Sequence, residues 1–324
     1  MSDVLFRQGR LVTRRDVCKA ALGALGASVL GPGVLASPVP EEGKPAKNAW
    51  KLDYIVASCM YGKIKLPEIL PELPRAGAVH IDVWPKPHGD QREQVDALGL
   101  DAFEKLLAQH SAKLGMLTRY DLGPFGLKKE LGVAKRFGAK IIVTGSRGPK
   151  GLKGSALKSA VKSFADKLKP HVEAAGNAGV RIAIENHGSS LIDSADSQRW
   201  LVEALPSKAL GIALAPYHLP QKPKHIAQLI RDLGPGLAHV YAWEHGKGCH
   251  KKMPKADELL QMPGRGSLSF RPILQAMREI RYSGWTEIFM HPTPRGIPIL
   301  DTARQVTDEI IRAKKHLERE VAAL

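Results

Sequence analysis

The chain is 324 residues long and strongly basic, with 48 Lys and Arg against 32 Asp and Glu and a formal net charge of +16. The excess is spread through stretches such as 150–169 and 312–319, with no basic cluster interleaved with aromatics. It reads as solvated surface and argues against nucleic acid as the partner. Of the three cysteines only Cys59 and Cys249 lie beyond the N-terminal segment, too few for a disulfide framework and spaced for no zinc motif.

Residues 1–37 stand apart. Thr13-Arg14-Arg15-Asp16-Val17-Cys18-Lys19 precedes a weakly apolar Ala/Leu/Gly run ending at Val34-Leu35-Ala36, the order of charge, apolar core and small residue found in export signals. This segment resembles a twin-arginine signal peptide, which implies a protein exported to the periplasm. The run from Ala20 to Val34 is too short and too rich in glycine to span a membrane stably. Residues 38–51, with three prolines and mixed charges, read as a linker. Without the leader, which holds five Lys/Arg and two Asp/Glu, the net charge is still +13.

From residue 52 onward short apolar runs alternate with longer amphipathic ones. Eight strands are predicted, at 52–58, 78–84, 114–119, 139–144, 180–185, 210–215, 238–243 and 285–291. Helices are predicted at 100–114, 128–137, 157–178, 194–205, 222–233, 270–280 and 302–321. Eight βα repeats without a glycine-rich dinucleotide turn after the first strand favour an α/β fold of the (β/α)8 TIM-barrel type, a single domain over 52–324.

The polar residues gather at strand ends. Strand two runs into Asp82-Val-Trp-Pro-Lys86-Pro-His88 and strand four into Gly145-Ser-Arg147-Gly-Pro149. Strand six leads to Ala215-Pro-Tyr-His218, strand seven to Trp243-Glu-His245-Gly-Lys247, and strand eight to His291-Pro-Thr-Pro-Arg295. The fifth strand is the most telling. In Gly179-Val-Arg-Ile-Ala-Ile-Glu-Asn-His187, alternation puts Val180, Ile182 and Ile184 on one face and Arg181, Ala183 and Glu185 on the other. The branched face suits burial under helices, so Glu185 points into the barrel at its C-terminal mouth, where such barrels carry their chemistry. Arg181 and Glu287, further back on inward faces, are expected to pair near the barrel floor.

Ile184-Glu185-Asn186-His187, Tyr217-His218, the Pro263-Gly-Arg-Gly-Ser-Leu turn and Tyr282-Ser-Gly-Trp resemble the xylose isomerase-like TIM barrels over roughly residues 52–320. That broad family of sugar phosphate isomerases and epimerases includes ketose 3-epimerases, inosose-pathway enzymes and endonuclease IV repair enzymes. The resemblance implies one divalent metal ion held by Glu, Asp, His and Glu after strands five to eight. Glu185 keeps the first position. Ala215, Tyr241 and His291 stand at the other three, and His218 keeps the family's substrate-contacting histidine. What remains is a two-His, one-carboxylate set, Glu185, His218 and His291, for a weakly or substrate-assisted zinc, manganese or iron ion.

By the same resemblance Glu185 and His291 occupy the two proton-transfer positions of a ketose epimerase, which needs a group on each side of the carbon beside a carbonyl. Lys86, His88, Arg147, His187, His218, His245, Lys247 and Arg295 are the candidate substrate-binding residues, with Arg147, Lys247 and Arg295 suited to an oxyanion or an acidic substrate. The leading expectation is an exported sugar isomerase, epimerase or related lyase acting on an acidic or oxidised carbohydrate. The alternative is a sugar-binding or accessory barrel that has lost catalysis with its ligands. A DNA repair endonuclease ranks last, since the altered strand ends lack the ligands for several zinc ions.

Overall fold

The computed structural model describes residues 50–324, so the expected leader and almost all of the linker lie outside the described residues. Eight strands form from the eight apolar runs: β1 Asp53–Ala57, β2 His80–Val83, β3 Lys113–Thr118, β4 Ile141–Gly145, β5 Arg181–Glu185, β6 Leu210–Leu214, β7 Leu237–Ala242 and β8 Trp285–Ile288. All neighbours pair in parallel, and β1 closes on β8 through Asp53 opposite Trp285 and Ile55 opposite Glu287. The (β/α)8 barrel read from the sequence is the observed fold. Strands two and eight end earlier than their apolar runs because the backbone N–H groups past their ends turn to side chains, Trp84 to the Ser58 hydroxyl just before Pro85, and Met290 and His291 to the Met60 sulfur and the Gln261 amide oxygen. Trp84, Phe289 and His291 are thereby left on the rim.

Eleven helices lie among the described residues: α1 Leu66–Ile69, α2 Glu72–Arg75, α3 Gln91–Leu98, α4 Leu100–Gln109, α5 Lys128–Phe137, α6 Gly154–Asn177, α7 Ala195–Ala204, α8 Pro223–Leu233, α9 Lys255–Glu258, α10 Arg271–Glu279 and α11 Ala303–Ala322. The seven predicted helices are all present. α3 escapes a periodicity search because Val95 is its one buried apolar residue, while Leu98 faces solvent. Ser194 and Thr302 cap α7 and α11 by accepting hydrogen bonds from the backbone N–H groups of Ser197 and Gln305. Both side chains three residues on return the bond, completing capping boxes.

The core divides into two shells. Outward residues such as Ile182, Ile184, Ile212 and Val240 pack under the helices with no more than 2% of their surface exposed. The barrel interior is unusually polar, holding Asp82, Thr118, Glu185, His239, Tyr241 and Glu287. At its N-terminal end Arg181 donates to the carbonyls of Leu210, Leu237 and Pro235, where Gly211 supplies the space that a side chain would take from the guanidinium. The expected Arg181–Glu287 pair does not form. Each finds a nearer partner, and Glu287 meets His239 Nε2 at 3.0 Å instead.

Outside the barrel, Glu130 of α5 is 1% exposed and accepts from Arg92 of α3 at 2.9 and 3.0 Å, and it pairs with Arg119 after β3 at 2.6 Å. Glu244, past β7, accepts from the N–H groups of Gly266 and Leu268 and so folds the Pro263–Leu268 turn against the rim. Cys59 and Cys249 are both buried and free.

Candidate active site

The C-terminal mouth of the barrel holds a cavity of about 450 Å3, within the range usual for small-molecule sites. Strand ends supply its walls. Trp84 comes from β2, Tyr120 from β3, Gly145 to Gly148 from β4, Glu185 from β5, His218 from β6, Trp243 from β7, and Phe289 and His291 from β8. Trp84 stacks on Phe289 with centroids 5.2 Å apart, and Trp243 meets Phe289 edge-on at 5.0 Å. The floor is therefore aromatic, a surface on which the C–H face of a sugar ring can pack.

Glu185 sits against this floor, 3% exposed. Burial raises its pKa well above the ordinary carboxylate value, which favours its protonated form. Asn186, the next residue, donates to the Ala215 carbonyl at 3.0 Å and accepts from its N–H at 2.7 Å. That clamp joins the ends of β5 and β6 and brings His218 Nε2 to 3.6 Å from Glu185 Oε1.

Four imidazoles ring the cavity in two pairs. His187 and His218 have centroids 4.3 Å apart, and His88 stacks on His291 at the same 4.3 Å. Burial, reinforced by the charges of neighbouring histidines and Arg295, pushes His218 down to about 3 and His291 well below its ordinary value. Burial followed by the charges of Arg295 and His187 takes His88 to about 4. At neutral pH the rings are uncharged bases facing a carboxyl whose pKa burial has raised.

Of the residues predicted from the sequence, the fold brings His88, Arg147, Glu185, His187, His218 and His291 to the cavity wall. Four do not line it. Lys86 is exposed on the outer side of its turn, where its backbone N–H meets Glu93. His245 lies over Tyr217, and Lys247 is drawn to Asp257 at 2.8 Å. Arg295 is spent on the Pro292 carbonyl and the Cys249 sulfur, at 2.8 and 3.0 Å. Tyr120, Lys150, Ser190 and Phe289 line the cavity unforeseen. Tyr120 was legible in principle, since it is two residues past the inward Thr118 and alternation carries it to the same side.

A family model described as a xylose isomerase-like TIM barrel matches residues 70–313. The chain belongs to this family. Solved structures agree with the xylose isomerase-like fold at low identity. The IolI protein with a bound zinc atom is 18% identical, with a TM-score of 0.64 over 84% of this chain and 99% of its own. D-psicose 3-epimerase from Clostridium cellulolyticum H10, solved with D-tagatose, is 15% identical, with a TM-score of 0.62 over 83% and 99%. The 3-keto-D-glucoside 4-epimerase YcjR from E. coli is 16% identical, with a TM-score of 0.60 over 82% and 100%. No curated protein matches the sequence.

The metal site implied by the xylose isomerase-like resemblance does not fit these residues. Ala215 has no donor atom, and the Tyr241 hydroxyl, 1% exposed, has its pKa driven far up by burial and by the nearby carboxyls. The fallback set of Glu185, His218 and His291 is not assembled either, because His291 is turned to stack on His88. Among the described residues no three His, Cys, Asp or Glu are placed to hold a metal ion together.

Proposed function

We propose that the chain is an exported carbohydrate isomerase or epimerase that moves a proton beside a carbonyl of an anionic sugar, with Glu185 as acid and a neutral imidazole as base. The observation that carries this reading is the meeting, in one aromatic-floored cavity, of a carboxyl that burial shifts towards its protonated form with histidines that burial keeps neutral. The imidazole takes the C–H proton, the electron pair becomes the C=C bond of an enediol, and Glu185 passes its proton to the carbonyl oxygen. Return of the imidazolium proton to the neighbouring carbon, while the Glu185 carboxylate takes back a hydroxyl proton, isomerises the sugar. Inversion needs the second imidazole, protonated from solvent, to deliver to the opposite face while the first gives its proton to solvent and Glu185 recovers the hydroxyl proton. His218, beside Glu185, and His291, across the floor, are the two candidate bases. The epimerase names of the related structures are in keeping with this chemistry.

Arg147 and Lys150 support an anionic substrate. Both line the cavity, and among the described residues neither forms an ion pair. A carboxylate or phosphate on the sugar would meet two unspent cations at the mouth. The Arg14-Arg15 leader supports export to the periplasm. Intact-mass analysis of the protein from its host tests that part, with removal near Ala36 as the expected result.

The chemistry is tested by incubating keto-sugars, aldonic and uronic acids and sugar phosphates with the protein in deuterium oxide. Deuterium entering the position beside the carbonyl, faster with acidic sugars, is the expected result. No exchange with any of them would turn the reading toward a sugar-binding barrel without catalysis.

A further inference from the structure

Below the cavity floor the barrel encloses two carboxyl groups that the proposed reaction does not use. Asp82 of β2 and Glu287 of β8 project inward from the two strands that flank β1, which places the small Ala57 opposite Asp82. Both are fully buried. Asp82 Oδ2 accepts from the Thr118 hydroxyl at 2.6 Å, and Glu287 Oε2 meets His239 Nε2 at 3.0 Å. Their other oxygens, Asp82 Oδ1 and Glu287 Oε1, are buried and form no hydrogen bond, and the one neutral donor near Asp82, the Trp84 indole N–H, is itself without a partner.

The surroundings supply no compensating charge. The titratable groups facing the pair are Glu185 from β5, His239 and Tyr241 from β7, and Cys59 after β1. The neighbouring residues of β3, β4 and β6, Thr118, Val143 and Ala213, do not titrate. Neither carboxyl pairs with a Lys or Arg among the described residues. Two ionised carboxylates side by side in such a place are strongly disfavoured, and one proton between them removes the repulsion. It also gives each orphaned oxygen its missing partner.

We propose that Asp82 and Glu287 share one proton between Oδ1 and Oε1, and that this acid pair acts as a positioning element for Glu185 through the Tyr241 hydroxyl. That hydroxyl is buried among the three carboxyls and has no partner of its own. With the lower two satisfied by the shared proton and by Thr118 and His239, its hydrogen is free for Glu185. An ionised lower pair would draw it down and away from the cavity. Burial pushes Asp82 up to about 7 and Glu287 well above its ordinary value, in keeping with one retained proton.

The functional half rests on Glu185 being the acid; the shared proton does not, and the experiment separates them. Infrared difference spectra of the full chain should show a protonated carboxylic C=O band at neutral pH that Asp82→Asn and Glu287→Gln each remove and Glu185→Gln leaves in place. In the unsubstituted protein, carbon-13 NMR of labelled Asp and Glu carboxyls should show one proton lost by two coupled groups near or above neutral pH, which decides the matter even where a variant fails to fold. Tyr241→Phe should keep the band and lower kcat on the order of tenfold with KM little changed. Persistence in both amide variants of the band that Glu185→Gln leaves in place, or two carboxyls titrating independently below pH 5, overturns the shared proton. Parental kcat in Tyr241→Phe overturns the positioning role. If no sugar is turned over, Tyr241→Phe is read instead by the Glu185 carboxyl shift, which should move if the hydroxyl donates to it.

Discussion

His218 Nε2 lies 3.6 Å from Glu185 Oε1, beyond hydrogen-bonding distance although both groups are largely buried. Neither spends its hydrogen-bonding capacity on the other, so both can turn to a substrate. Glu185→Gln keeps the shape and a hydrogen-bond donor but removes the transferable proton. Turnover should fall on the order of 100-fold or more with an unchanged circular dichroism spectrum, and near-parental rates would remove Glu185 from the chemistry.

The same burial sets a pH dependence of stability. His218 is held at about 3 in the folded chain, below its ordinary 6.5, so between these values the unfolded chain binds the proton more readily. Its contribution is present above pH 6.5 and is lost as pH falls towards 3. Asp82 behaves oppositely: its folded value of about 7 exceeds the ordinary 3.8, so its contribution is full below 3.8 and is lost as pH rises through 7. Melting temperatures of His218→Gln should therefore fall less steeply on acidification than those of the parent. Those of Asp82→Asn should fall less steeply as pH rises to 7.

Glu130 neutralises two buried or half-buried guanidinium groups at once. Glu130→Ala would leave Arg92, 1% exposed, with only Asp96, itself half exposed. A loss of about 3–5 kcal/mol in chemical denaturation is expected. A loss within the scatter of surface substitutions would show that the network contributes little.

For an acidic sugar, replacing Arg147 and Lys150 together by alanine should raise KM about tenfold or more, with kcat less affected. A neutral sugar of the same skeleton should respond little. Equal changes for both substrates would place the anion elsewhere.

Chelator treatment followed by dialysis should leave melting temperature and turnover unchanged, because Ala215 and the protonated Tyr241 cannot complete a metal shell. Stoichiometric metal in the purified protein, lost together with activity on chelation, would contradict this.

The barrel was legible because its repeats carry two clean periods, alternation in strands such as residues 180–185 and helical spacing around Phe103 and Leu107. Glu185 was legible for the same reason: alternation alone fixes which way it points. Lys86, His245, Lys247 and Arg295 do not line the cavity, because position after a strand says which rim a residue is on, not which neighbour claims it. Asp257 and the Pro292 and Cys249 acceptors come from distant or looping segments that no local pattern connects to those cations. The pairing of His88 with His291 likewise depends on β2 and β8 meeting across β1, a relation of closed topology rather than of spacing.

That closure bears on when the protein can come into being. The seam between Asp53 and Trp285 joins nearly the two ends of the described chain, and the cavity draws on strands from the second to the eighth. During synthesis the early βα units emerge with open edges and an interior of unpaired polar groups, and the enclosure around Asp82 cannot form until β8 leaves the ribosome. Completion of the barrel and birth of the site are thus a single late event, which makes loss of the last βα unit costlier than its share of the length suggests.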